Sequence, residues 1–190
     1  MKKKVFEKIF IIILTLSLVF ALFVGLTACK DQPVWTELAK GMNNVTLMTC
    51  KIVMTDKGVT VVDYTKTVEI DGTNALVTEV EDKLGDDFQP QKDETSKKID
   101  NIDKASLLPL NLSSNVLSTL KKSKADGLDV YSAELEEIFI KQVMNTGLDF
   151  GIYGTATLKI KCSGKNVQEI SLDYVTKTGR VVSTVYSYVY

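Results

Sequence analysis

The chain holds no histidine among its 190 residues, which removes most hydrolytic and metal chemistry at once. Ser–His–Asp triads, Cys–His dyads and His-bearing zinc sites all depend on an imidazole. The three cysteines, Cys29, Cys50 and Cys162, are too few for a four-cysteine zinc cage. Carboxylates are plentiful, but Asp86-Asp87 and Asp93-Glu94 lack the alternating spacing that converges on one calcium ion. The glycines stand singly in turn-like contexts, so there is no phosphate-cradling loop. What remains for covalent chemistry is a serine activated by a lysine. Three fragments offer it: Ser118-Thr119-Leu120-Lys121, Ser113-Ser114-Asn115 and Lys177-Thr178-Gly179.

These fragments are similar to the S-x-x-K, S-x-N and K-T-G elements with which serine penicillin-binding enzymes activate a serine and hold substrate. The order differs, because the S-x-N here lies directly before the S-x-x-K rather than well after it. Lys177-Thr178-Gly179 also reads as a hairpin turn, and the chain is short for that fold. Short tripeptides recur by chance. The sequence is therefore read as that of a non-enzyme without a cofactor.

Cys29 suggests a different chemistry. Lys2, Lys3, Lys4 and Lys8 precede an uncharged run from Ile9 to Ala28, which ends in Leu26-Thr27-Ala28-Cys29. A positive flank, an apolar stretch and small residues before a cleavage point make a secretory signal. This one resembles the signal and lipobox of bacterial lipoproteins. That resemblance implies acylation of Cys29, with palmitate-type chains anchoring the protein to the extracytoplasmic face of the cell membrane. The competing reading is an uncleaved anchor, since about 20 uncharged residues can span a bilayer. Accordingly, residues 1–28 are expected to be a signal peptide, 29–33 a lipidated tether and 34–190 a single domain. Residues 1–28 carry four lysines and one glutamate, so subtraction from the whole-chain net charge of −1 leaves the mature part near −4. That balance argues against a nucleic-acid partner.

Next come the elements that must position any site. A helix is expected to begin near Pro33, carry Trp35, Leu38 and Met42 on one side, and stop at Asn43-Asn44. From Val45 the apolar period becomes two, the signature of strands. Met48, Cys50, Ile52 and Met54 share a face, then Val62, Tyr64, Val68 and Ile70, with Lys66 interrupting. Asp56-Lys57-Gly58 and Asp71-Gly72 are turn signals. Lys83–Lys104 holds six acidic and five basic residues and reads as a loop, or a loop with a short poorly packed strand. A helix is expected from about Ser113 through Leu120, with Lys121, Lys122 and Lys124 at its C-terminal end. A second helix is expected to end near Gly147. Leu158, Ile160 and Cys162 then alternate with lysines. Ile170, Leu172 and Tyr174 line the following strand, and Tyr186, Tyr188 and Tyr190 share a face of the last one.

The fold class expected from these elements is α+β, a curved, half-barrel-like antiparallel sheet packed against helices. Element order behind a lipobox resembles the LolA/LppX-like group of lipoprotein and lipid carriers. The resemblance implies a tethered protein holding an apolar or lipid-like ligand between sheet and helices. The expected cavity lining is Met48, Ile52, Met54, Tyr64, Leu117, Leu120, Leu158, Ile160, Leu172 and Tyr174, with Leu107–Leu120 as a lid. The alternative is an accessory envelope lipoprotein with a filled core that contacts another protein. Cys50 and Cys162, on the apolar faces of early and late strands, are either a disulfide pair or two buried thiols.

Overall fold

The computed structural model describes residues 35–84, 89–145 and 150–190. The expected signal peptide, Cys29 and the expected tether lie outside them. Val34–Tyr190 forms one compact unit, and among the described residues its buried core runs from Leu38 to Tyr188.

Helix α1 spans Trp35–Gly41 and continues into a 3-10 turn at Met42–Asn44. Glu37 opens it and Lys40 closes it, in accord with the helix dipole, and the two are paired at 2.9 Å. Leu38 and Met42 point into the core, while Trp35 meets Tyr131 edge-on at 5.3 Å. A Cβ at Gly41 would sit 2.8 Å from the Lys165 carbonyl oxygen, so only glycine lets the helix end this close to the sheet.

The strands are β1 (Leu47–Asp56), β2 (Val59–Asp71), β3 (Asn74–Leu84), β4 (Pro90–Ile99), β5 (Lys121–Ala125), β6 (Leu128–Glu136), β7 (Thr155–Ser163), β8 (Asn166–Val175) and β9 (Val181–Val189). They form one nine-stranded sheet in the order β4-β3-β2-β1-β9-β8-β7-β6-β5, with every neighbouring pair antiparallel. Two meanders, β1–β4 and β5–β9, are thus zipped together where β1 meets β9. Helix α2 (Glu137–Val143) follows β6. Strand alternation puts one face inward, where Leu158, Ile160, Val167 and Ile170 are fully buried. The tight hairpins obey their turn chemistry: Lys57 and Gly58, and Asp126 and Gly127, have the paired positive φ values of a type I′ turn.

Residues 100–120 cross from β4 to β5 over the inner face. They contribute Leu107, Leu108, Leu110, Val116, Leu117 and Leu120 to the core. Backbone bonds from Asn111 to Val143 (2.6 Å) and from Asn145 to Pro109 (2.8 Å) tie this crossover to the end of α2.

The α+β expectation is overturned. Among the described residues the chain forms a nine-stranded antiparallel sheet with two seven-residue α-helices. Instead of a helix from Ser113 there is a 3-10 turn at Asn115–Thr119. Here short polar side chains outcompete the helix. The Ser114 hydroxyl accepts from the Val116 amide (3.3 Å), and Ser118 and Thr119 donate to carbonyls three residues back at 2.7 and 2.8 Å. Lys121, Lys122 and Lys124 lie in edge strand β5, not at a helix end. Much of the expected Lys83–Lys104 loop is strand β4, whose ladder runs from Leu84↔Pro90 to Ala75↔Ile99. An edge strand needs backbone partners on one side only, so it forms without an apolar face and is shielded by charge.

Candidate functional site

The register lays the inner face out in cross-strand rows. One row runs Ile160, Ile170, Tyr186, Cys50, Lys66, Glu79, Thr95 from β7 to β4. A second runs Leu158, Leu172, Thr184, Ile52, Tyr64, Glu81, Asp93. Each row passes from aliphatic to charged as it crosses β1. Along these two rows the inner face is apolar on β7–β9 and polar on β2–β4, whereas the row Tyr188, Met48, Val68, Val77 stays apolar as far as β3.

Ion pairs organise the polar half. Lys66 reaches Glu79 at 2.8 Å, and Lys83 reaches Asp93 at 3.0 Å and Glu81 at 3.4 Å. The Lys66 hydrogen bond holds the Glu79 carboxyl below its usual range. Burial, then the charge of Glu79, pushes the Tyr64 phenol up to about 12. Burial likewise raises the Cys50 thiol, which lies opposite Tyr186 across the β1–β9 ladder.

Between this polar half and the crossover lies a cavity of about 720 Å³. Val68 and Val77 line its apolar base, Lys66, Glu79, Thr95 and Lys97 one side, and Ile102, Asp103, Ser106 and Leu107 the other. The crossover wall is held firmly. The Tyr188 hydroxyl donates to the Leu107 carbonyl (3.0 Å), and the Lys104 ammonium donates to the carbonyls of Asn43 (3.1 Å) and Val45 (3.2 Å). The Asp103 carboxylate accepts from the Ala105 amide at 3.0 Å and starts the 3-10 turn Lys104–Leu107. An apolar base with polar walls suits an amphipathic molecule.

The ten side chains expected to line a cavity are placed otherwise. Met48, Leu117, Leu120, Leu158, Ile160 and Leu172 are buried in the packed core, and Ile52, Met54, Tyr64 and Tyr174 are half-buried. None of them lines the 720 Å³ cavity. The residues that do include Lys66, the charge interrupting the apolar alternation of β2, which was the one sequence signal for this place. Its partner Glu79 needed the β2–β3 register to be known.

Cys50 and Cys162 are free and buried. They sit on β1 and β7 with β9 and β8 between them. Three inter-strand steps of about 4.8 Å exceed the reach of a disulfide, so of the two alternatives the structure has two separate buried thiols. The serine–lysine fragments serve other ends. Ser114 caps the Asn115–Thr119 turn, and Lys177 faces Glu137 at 3.7 Å from the β8–β9 hairpin. Among the described residues no group of His, Cys, Asp or Glu could hold a metal ion, and no helix is long and apolar enough to cross a membrane.

No family model matches the chain, and no curated protein does either. Among solved structures, a redesigned beta barrel, b11L5F_LGL, is 9% identical with a TM-score of 0.20, covering 80% of this chain and 94% of its own. The redesigned beta barrel mFAP1, bound to DFHBI, is 9% identical with a TM-score of 0.19, covering 80% and 98%. Overlaps this low carry no argument, and the architecture rests on the strand register itself.

Proposed function

We propose that the protein is a membrane-tethered, extracytoplasmic binding domain that takes an amphipathic small molecule into the cavity between β2–β4 and the 100–107 crossover. The tether is the lipid on Cys29 expected from the lipobox. The observation that carries the binding half is the cavity itself: about 720 Å³ with aliphatic Val68, Val77 and Leu107 beside Lys66, Lys97 and Asp103. Pockets that bind drug-sized ligands fall in this size range, with a few polar groups fixing orientation. No catalytic role is proposed for any residue.

Native mass spectrometry of residues 30–190, purified under gentle conditions, tests this reading. A co-purifying adduct of a few hundred daltons is expected, and it should disappear in Thr95→Trp, which places a large ring in the cavity from an exposed strand position. An adduct retained in that variant would sink the cavity assignment. Labelled fatty acid tests the tether independently, through its loss in Cys29→Ser.

A second reading, a tethered adaptor that contacts another envelope protein and holds no ligand, draws support from the complete burial of Leu158, Ile160 and Leu172. Half of the inner face is filled by the chain itself. An empty cavity in every preparation would favour it.

A further inference from the structure

The sheet has two open edges, because β4 and β5 end the strand order without pairing with each other. Their sequences treat exposure differently. Strand β5 is five residues long and its charges are all lysines, Lys121, Lys122 and Lys124, so two such edges repel each other. Strand β4 is ten residues long and exposed from Pro90 to Lys98. From Lys92 to Asp100 the chain carries three cations, Lys92, Lys97 and Lys98, and three anions, Asp93, Glu94 and Asp100. Their charges cancel, so this edge does not repel a copy of itself. Its backbone is available as well. The Ile70 amide donates toward β1, to the Thr46 carbonyl at 2.9 Å. Alternation through the pairs Glu69↔Leu76 and Ala75↔Ile99 then turns the amides and carbonyls of Lys92, Glu94, Ser96 and Lys98 to the open edge.

The order of the charges selects one register. Antiparallel neighbours present opposite residues to the same face, so a two-fold pairing of β4 with a second β4 must centre on a residue. Centred on Asp93, Glu94 or Lys97, a charge meets its own copy. Centred on Thr95, Lys92 meets Lys98 of the second copy. Only the Ser96 centre sets opposite charges against each other throughout the outer face: Glu94 faces Lys98 of the second copy, and Lys92 faces its Asp100, each twice by symmetry. On the inner face Asp93 meets Ile99, and Lys97 meets Thr95 with Asp93 and Lys97 of the second copy on its diagonals, where attraction and repulsion offset. Neighbouring charges leave the outer set available. Asp93 is held by Lys83 at 3.0 Å and Glu79 by Lys66 at 2.8 Å. Asp82 lies across from Lys92, and Glu69 and Asp71 border the outer groove beside Lys98. Even so, among the described residues none of Lys92, Glu94, Lys98 and Asp100 is in an ion pair.

We propose that two copies of this chain associate edge to edge through β4, antiparallel about a two-fold axis at Ser96, so that one sheet runs through both molecules. Backbone bonds of the exposed edge supply the attraction, and the Glu94–Lys98 and Lys92–Asp100 pairs fix the register. The association does not depend on what the cavity holds.

Cross-linking of the purified full chain in mild detergent tests this. Ser96→Cys places two thiols opposite each other across the axis, within the Cα separation of about 4.4–6.8 Å that a disulfide spans. Copper phenanthroline should therefore convert this variant to a covalent dimer, whereas the parent, which sets the background from Cys29, Cys50 and Cys162, should stay monomeric on a non-reducing gel. Lys92→Cys is exposed on the same face of the same strand, but its two copies lie roughly 26 Å apart in this register, so it should not cross-link above background. Adding Glu94→Lys to Ser96→Cys sets like charges opposite each other twice and should slow cross-linking by at least about tenfold. Adding Lys98→Glu as well exchanges the two charges and should restore the rate. All these positions are exposed strand sites, and unchanged circular dichroism spectra check that each variant is folded. No dimer from Ser96→Cys, an equal yield from Lys92→Cys, indifference to Glu94→Lys, or failure of the charge exchange to restore the rate overturns the proposal.

Discussion

At the scale of single residues, burial decides the chemistry of the titratable groups. Burial, and secondarily Asp129, pushes the Cys162 thiol up to about 11, and burial, then the Cys162 charge, raises the Tyr190 phenol to about 12. Tyr188 is also raised, chiefly by burial. A raised acid in the folded state binds its proton more tightly than the same group in the unfolded chain. Its contribution to stability is therefore complete below the unfolded pKa and is lost as pH climbs through the folded one. Above the carboxylate range the domain should hold constant stability up to about pH 9, then weaken between about pH 9 and 12. Denaturant melts at stepped pH check this, and Cys162→Ala should flatten the early part of the decline. Unreduced, denatured 34–190 should titrate as two free thiols; none would restore the disulfide. Glu79→Gln should lower the Tyr64 phenol, readable by ultraviolet titration against a Tyr64→Phe control. It should change folding stability by less than about 1 kcal/mol, as expected for a pair exposed at both ends.

At the scale of elements, the sequence was most readable where one face was buried. The alternation Leu158, Ile160, Cys162 and Ile170, Leu172, Tyr174 marks β7 and β8 because those positions repeat at period two against a packed interior. Leu158→Ala should accordingly cost about 2–5 kcal/mol in chemical denaturation. The turns were legible too, since Asp-Gly and Lys-Gly pairs suit positive φ. What stayed hidden was structure without an apolar signature. Pro90–Ile99 is exposed along nearly its whole length, and its strand state is set by β3, not by its own composition. The 111–119 segment carries helical apolar spacing, yet its serines and asparagines bond to local backbone and hold it in tight turns. The cavity was hidden for the same reason, because half of its wall lies on β4 and in that crossover. Hydrogen exchange should rank these elements, with β8 amides slowest and β4 amides exchanging faster by at least about tenfold, as expected for an edge with few buried contacts.

At the scale of the whole molecule, the two meanders share one ladder, β1 with β9, and a single strap, the crossover, passes from one outer edge to the other. The strap is the structural link between filled core and open cavity: Leu117 and Leu120 seal the apolar half, while Ile102, Ser106 and Leu107 wall the cavity. Its attachment concentrates on few bonds, of which the Tyr188 hydroxyl to the Leu107 carbonyl is buried. Tyr188→Phe keeps the ring and its packing but leaves that carbonyl without its partner, which should cost about 1–3 kcal/mol. If the strap is the movable wall of a binding site, the loss should be local. The Leu108 amide, which donates to Ala105, should then exchange markedly faster in Tyr188→Phe, whereas amides of Ile170 and Leu172 in β8 stay as slow as in the parent. Uniform acceleration across β8 and the strap would mean that the crossover and sheet unfold as one unit, leaving the cavity without an independently opening wall.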